Sequence, residues 1–297
     1  MGVWVWPRNE ALEDAVRRTG ASVVPLAHAS AIVCTDDDIE RLRSSLLPGI
    51  RWVQLGAAGI EMWLEAGVMR ENITWTAAKG VYARPIAEHV VALMLAASRH
   101  LPERIRARRW GSPAGRLLQG ATVGVVGAGG IGLEVLTLLA PFRLKTIALT
   151  RDARTVAADH SVGPGELEWL LTQSDYVVLS AAATPETVGM ISAERLASMR
   201  AGAWLINIAR GSLVDTDALV HALSSGVIGG AALDVTDPEP LPEGHPLWSL
   251  PNVIITPHVA NTMAMGLPFL ADRVEENVRR FVRGEPLLGL VNLQLGY

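Results

Sequence analysis

The run ATVGVVGAGGIGLEVLTLLAPF, residues 121–142, leaves few folds open to this chain. A β-branched apolar stretch stops at Gly127, glycine recurs at Gly129 and Gly132, and an apolar helical pattern begins at once. Glycine at 127 permits a tight turn, at 129 it admits close approach of a ligand to the backbone, and at 132 it lets the helix lie close on the strand. The helix start, at Gly130 and Ile131, offers amide donors suited to phosphate. A bare G-x-G-x-x-G carries little weight. With a strand before it, a helix after it and a further strand, KTIALT, beyond, the segment reads as a dinucleotide-binding βαβ unit of Rossmann type.

KTIALT ends where such a unit commonly carries an acid for the ribose 2′-hydroxyl. Here Thr150 stands at that point, followed by Arg151 and, a little later, Arg154. Threonine removes the repulsion that an aspartate directs at a 2′-phosphate, and a guanidinium attracts one. NADP is therefore expected in preference to NAD. Asp152 argues the other way, because a small shift of the strand end returns an acid to the ribose.

The rest of the chain extends the pattern. Before the glycine loop, VWVW, ASVVPL, AIVC, IRWVQLG and ITWTAA alternate with helical runs such as ALEDAVRR and DDIERLRSSL. After it, KTIALT, DYVVLS, AWLINI, GGAALDV and NVIITP continue a second series. Strands separated by helices predict parallel sheets covered on both faces. The fold class is α/β, with two doubly wound parallel-sheet domains. Residues 85–109 read as a long apolar helix opened by Pro85 and a polar helix after Pro102, and the domain crossing is expected there. The arginines at 104, 106, 108 and 109 read as a solvated face, and the aspartates of TDDDIERLRS, or Thr35, as a helix cap.

Composition narrows the function classes. The 297 residues, 49% hydrophobic, suffice for two ordinary domains. With 26 basic against 30 acidic residues the net charge is -4, which lacks the excess that a nucleic-acid binder uses to displace phosphate counterions. The single cysteine, Cys34, forms no intrachain disulfide and points to a reducing compartment. The longest apolar run, VVALMLAA, is too short to cross a bilayer, and the first residues do not resemble a secretory leader, so a cytoplasmic protein without a membrane partner is expected. His28, His89, His100, His160, His221 and His245 show no metal-ligand spacing, so no metal is expected.

Three polar residues follow later strands of the second series: Arg210 after the apolar start of INIARGSLVD, Glu239 in the proline-bracketed DPEPLP, and His258 in TPHVA. A buried arginine without a partner costs several kcal/mol, so something anionic should meet Arg210; a neighbouring carboxylate is the plain alternative to a ligand. Open α/β sheets bind ligands beyond the carboxyl ends of their strands, where all three residues and the glycine loop can converge.

With LGAAGIE, PIAEHVVALML, VGVVGAGGIG, TPETVGMI, INIARGSLVD, ALDVTDPEPLPEGHPLW and TPHVA in order, the chain resembles the D-isomer-specific 2-hydroxyacid dehydrogenases from about Gly56 to His258. The resemblance implies a flavodoxin-like substrate domain, 1–98 with 264–297, into which a nucleotide domain, 99–263, is inserted. It implies that Arg210 holds the substrate carboxylate, that His258 is the general acid and base, and that Glu239 orients His258. It also implies carboxylate binding by the backbone around Ala57, Ala58 and Gly59, and a contact from Asp234 to the nicotinamide carboxamide, for which a strand-end cap is the alternative. A small 2-keto or 2-hydroxy acid of the glyoxylate or hydroxypyruvate type, D-configured products and a homodimer are implied as well. Co-repressors of this fold share the same triad, so a dinucleotide-sensing interaction protein is the rival, against which the compact ends of the chain argue. AAATPET lacks the family's usual proline before TPET. Lys79 and Arg84 are candidates for added positive charge at the cleft, although solvated surface is the simpler reading of Lys79. Trp63 is a candidate pocket residue, while Trp4, Trp6, Trp52 and Trp75 are read as core.

Overall fold

The computed structural model describes residues 1–293. By its internal contacts the chain divides into two units, Met1–Tyr82 together with the chain from Thr262 onward, and Ala83–Asn261.

In the first unit, β1 (Gly2–Trp6), α1 (Glu10–Arg18), β2 (Ser22–Val23), β3 (Ala31–Cys34), α2 (Ile39–Ser45), β4 (Trp52–Leu55), α3 (Glu61–Glu65) and β5 (Thr74–Thr76) follow one another. The sheet is parallel, in the order β2-β1-β3-β4-β5, the flavodoxin-like arrangement. Local chemistry sets the helix ends: Asn9 caps α1 by accepting from Leu12 N, and Asp38 caps α2 by accepting from Arg41 N at 2.8 Å. ASVVPL yields only the two paired residues of β2 before Pro25, which has no amide to donate. Trp52 and Trp75 are core, as expected. Trp4 and Trp6 are only half-buried; they pack at the margin of the core on the face of the sheet opposite Val3 and Val5, where they stack on each other with Arg41 over Trp4.

The second unit runs through α4 (Ala83–Ser98), α5 (Leu101–Arg106), β6 (Thr122–Val126), α6 (Gly130–Leu139), β7 (Lys145–Leu149), β8 (His160–Val162), α7 (Leu167–Gln173), β9 (Tyr176–Leu179), α8 (Ala193–Ser198), β10 (Trp204–Asn207), α9 (Thr216–Ser224), β11 (Gly230–Leu233) and β12 (Val253–Ile255). Its parallel sheet has the order β12-β11-β10-β9-β6-β7-β8, reversing direction at β6 and β9. Strand β8 has no counterpart among the expected strands; its three residues are too few for alternation to show. The final helix, α10 (Met263–Arg283), is capped by Thr262 and returns to the first unit, where Leu270, Val274 and Val278 join Leu12 and Val16 in one core. The division of the chain falls before α4 rather than after it as expected, because Ala87, Val90, Leu93, Met94 and Ala97 pack with Val123 of β6 and with Val135 and Leu139 of α6. Likewise the return comes at Thr262 rather than at 264. Among the described residues no helix is long and apolar enough to cross a membrane.

One row of paired residues positions the site. Val126 pairs with Leu149 and Leu179, Asn207 pairs with Leu179 and Leu233, and Leu233 pairs with Ile255. The strands therefore end in register, and the loops that begin at Gly127, Thr150, Ser180, Ile208, Asp234 and Thr256 leave from one edge of the sheet.

Candidate active site

The glycine loop has the geometry its spacing predicts. Gly127 has φ +96°, and a Cβ there would lie 2.5 Å from Ala181 N; a Cβ on Gly132 would lie 2.6 Å from the Gly127 carbonyl oxygen. A Cβ on Gly129 would meet nothing within 4 Å, so this position faces open space beside the first turn of α6. Helical first-turn amides lack intrahelical acceptors. A backbone bared toward that turn fits a dinucleotide pyrophosphate.

Strand β7 ends at Leu149, so Thr150 is the first residue beyond it. Thr150 is buried, and its hydroxyl donates to the Arg154 carbonyl at 3.2 Å, within the turn itself. Arg154 reaches back to the Ala128 carbonyl at 3.2 Å and lies 3.9 Å from Asp152. Arg151 is exposed. Across from it, Glu186 of the TPET loop is held below the usual carboxylate range by a hydrogen bond with Thr184, by its own backbone amide, and by the positive charge of Arg151. Two cations, Arg151 and Arg154, thus stand beyond the end of β7, with Asp152 and Glu186 near them.

Arg210 extends from the loop after β10 with ordinary extended backbone, φ -145° and ψ 143°. Asn207 shapes this loop: its amide nitrogen donates to the Arg210 carbonyl at 2.9 Å, and its oxygen accepts from Ala209 N at 3.0 Å. One Arg210 nitrogen donates to the Ala209 carbonyl at 2.8 Å. A Cβ on Gly211 would fall 2.0 Å from the Thr236 carbonyl, so the turn after Arg210 abuts the strand-end segment that leads to Glu239.

Glu239 and His258 meet directly. Glu239 Oε1 lies 2.7 Å from His258 Nδ1, and Oε2 accepts from Thr236 N at 3.4 Å. An ionised carboxylate only accepts, so Nδ1 carries the proton and Nε2 is left for a reacting group. The His258 and Glu239 side chains are 56% and 42% exposed, which makes their pairing worth little as a stabilising contact. His258 also has φ +53°, a left-handed conformation that costs a non-glycine residue roughly 1 kcal/mol. Strain for so small a stabilising return is the pattern of a functional site.

What holds that strain is Asp234. Its carboxylate is buried and accepts from Thr256 Oγ1 at 2.6 Å, Val259 N at 3.0 Å and Ala260 N at 3.1 Å, while its backbone carbonyl accepts from His258 N at 2.9 Å. Both carboxylate oxygens are engaged in the 256–260 loop, as a strand-end cap would be. His89 of α4 approaches the same cluster, with Nε2 3.0 Å from Thr256 Oγ1. Asn207, Thr256 and His89 escaped the sequence reading. For Asn207 the signal was present, a polar residue closing an otherwise apolar strand; for the other two only the fold supplies it.

In the first unit, Ala57, Ala58 and Gly59 lie in the loop after β4. The Gly56 carbonyl accepts from the Tyr82 hydroxyl, which burial pushes up to about 12, and the Ala57 carbonyl accepts from Ala78 N at 2.8 Å. Trp63 is 2% exposed and packs with Ile60, Val68 and Trp75, so it belongs to the core and not to a pocket wall. Lys79 is half-buried rather than solvated; its ammonium donates to the Leu290 carbonyl at 2.7 Å, and burial lowers its pKa. Arg84 pairs at 2.9 Å with both Glu88 and Glu134, tying α4 to α6.

Comparison with known proteins agrees with this geometry. Residues 91–260 match the family model of the D-isomer specific 2-hydroxyacid dehydrogenase NAD binding domain. An uncharacterised protein of Corynebacterium melassecola is 40% identical over 84% of this chain and 84% of its own. A glyoxylate reductase of Thermofilum pendens is 34% identical over 89% of this chain and 82% of its own. An NADPH-dependent glyoxylate/hydroxypyruvate reductase from Sinorhizobium meliloti, solved with NADP and sulfate, superposes with TM-score 0.85 at 26% identity, covering 100% of this chain and 99% of that one. The chain thus belongs to the D-isomer-specific 2-hydroxyacid dehydrogenases, NAD(P)-dependent oxidoreductases that act on the CH-OH group of 2-hydroxy acids.

Proposed function

We propose that this protein reduces a small 2-keto acid, glyoxylate or hydroxypyruvate, with NADPH preferred to NADH, and gives the D-configured 2-hydroxy acid where the product is chiral. The observation that carries the reading is the His258–Glu239 pair, held 2.7 Å apart on a strained loop that leaves the same sheet edge as Arg210 and the glycine loop.

When bound, a reduced nicotinamide supplies the hydride. Arg210 takes the substrate carboxylate in its fork of donors and polarises the keto oxygen. His258 Nε2 gives its proton to that oxygen as the carbonyl carbon is reduced, and takes it back in the oxidative direction. Glu239 keeps the ring oriented, with Nδ1 toward the carboxylate and Nε2 toward the reacting oxygen. Preference for NADPH rests on Thr150 in place of an acid and on the exposed cation Arg151. Asp234 contacts the nicotinamide carboxamide from the sheet edge. The working form is a homodimer; exposed apolar side chains cluster on one stretch, with Leu101, Ile105, Trp110 and Leu117 all uncovered.

The test is oxidation of NADPH and of NADH, followed by absorbance, with glyoxylate, hydroxypyruvate, pyruvate and a phenyl-substituted keto acid. Turnover of the first two with NADPH ahead is the expected result. Faster turnover with NADH overturns the cofactor preference alone. Dinucleotide binding without turnover of any acid turns the reading toward a dinucleotide sensor.

A further inference from the structure

The hydroxyl of Thr256 has a single proton, and at 2.6 Å it is committed to the Asp234 carboxylate, which in its ionised form can only accept. His89 Nε2, 3.0 Å away, is therefore the donor to Thr256 Oγ1, and its proton must sit on Nε2. The same nitrogen lies 3.6 Å from Asp234 Oδ1. His89 is mostly buried, with 20% of its side chain exposed. The helix that carries it packs its apolar face against the second sheet, so the ring is presented to the cluster from a fixed support.

Each member of this chain of bonds ends on the loop of the acid-base histidine. Val259 N and Ala260 N, the two amides that follow His258, bind the two oxygens of Asp234. With the His258 amide held by the Asp234 carbonyl, the loop has three fastenings on one residue. Thr256 adds a side-chain donor to the same carboxylate, and the bond lasts only while its hydroxyl is aimed inward.

We propose that His89 is a positioning residue: by donating to Thr256 it fixes the Thr256–Asp234 bond, and through it the left-handed loop that holds His258 against Glu239. The proposal rests on the reading of His258 as the acid-base group. It requires a donor at the Nε2 position of residue 89 and nothing else of the imidazole. Glutamine supplies such a donor, and leucine does not.

The experiment compares wild type, His89→Gln, His89→Leu and Thr256→Val. Amide hydrogen exchange at Val259 and Ala260 is read in the cofactor-free protein, and kcat and KM in keto-acid reduction. In His89→Leu the two amides are expected to exchange about tenfold faster and kcat to fall about tenfold, the effect of one buried hydrogen bond. KM for the keto acid stays within about twofold, since Arg210 is untouched. His89→Gln restores both exchange and kcat. Thr256→Val deletes both the acceptor for His89 and the donor to Asp234, so its exchange and kcat are expected to change at least as much; His89→Ala serves in place of His89→Leu if that variant does not fold. Unchanged exchange in His89→Leu overturns the proposal, as does a His89→Gln variant as impaired as His89→Leu, because shape rather than the donor would then matter. If wild type reduces no keto acid, the functional reading fails while the exchange measurement still decides the role of His89.

Discussion

Glu239 and His258 each look unremarkable alone: an exposed acid between two prolines and a histidine in a polar turn. Their pairing fixes the ring: Nδ1 faces the carboxylate and Nε2 faces outward. Glu239→Gln replaces the charged acceptor by a neutral amide, so the ring is held less firmly and kcat for keto-acid reduction is expected to drop roughly tenfold, while KM for the keto acid stays within about twofold because Arg210 is untouched. A kcat of the variant equal to that of wild type removes Glu239 from the mechanism. Of the candidate site residues, the glycines, Arg210, Glu239 and His258 could be located in the sequence because each is a chemically unusual residue at a strand end. Trp63 misled, since an aromatic beside a small-residue loop looks the same in sequence whether it faces a pocket or, as here, the core.

Among the elements, α10 shows how a polar residue ties a helix to a sheet. Asn277 is fully buried; it donates to Gln54 Oε1 at 2.8 Å and to the Leu288 carbonyl at 2.9 Å, and accepts from Leu288 N at 2.8 Å. Gln54 Oε1 also accepts from Thr76, whose hydroxyl oxygen accepts from the Trp52 indole at 2.8 Å. Asn277→Ala leaves buried groups of both α10's neighbours without partners and is expected to cost about 2–4 kcal/mol, measured by urea unfolding of the variant against wild type. A loss below about 0.5 kcal/mol would mean that water replaces the amide. The helices and strands were mostly legible from apolar period and caps. The domain assignment of α4 was not, because an apolar helix with Pro85 near its start reads the same whichever core it covers.

At the scale of the whole molecule, several large apolar side chains are left uncovered. Trp110 is 102% exposed and Ile105 75%, on the stretch after α4 whose arginines read as solvated. A lone monomer gains nothing from such exposure, and a dimer that covers it does. Light scattering coupled to size exclusion is expected to give twice the chain mass for wild type. The paired substitution Ile105→Asp and Trp110→Asp is expected to shift it to a monomer. A monomeric wild type at micromolar concentration overturns the homodimer.

By itself the sequence determined the two parallel sheets, the glycine loop, and the three polar residues at strand ends, because these depend on local period and on residue types with one common use. Tertiary structure decided the rest. The pairing of β6, β7, β9, β10, β11 and β12 in one register brings loops far apart in the chain to a single edge. Only then do Asp234, Thr256 and His89 form one hydrogen-bonded chain, since a hydrogen bond depends on distances of about 3 Å that sequence separation does not encode.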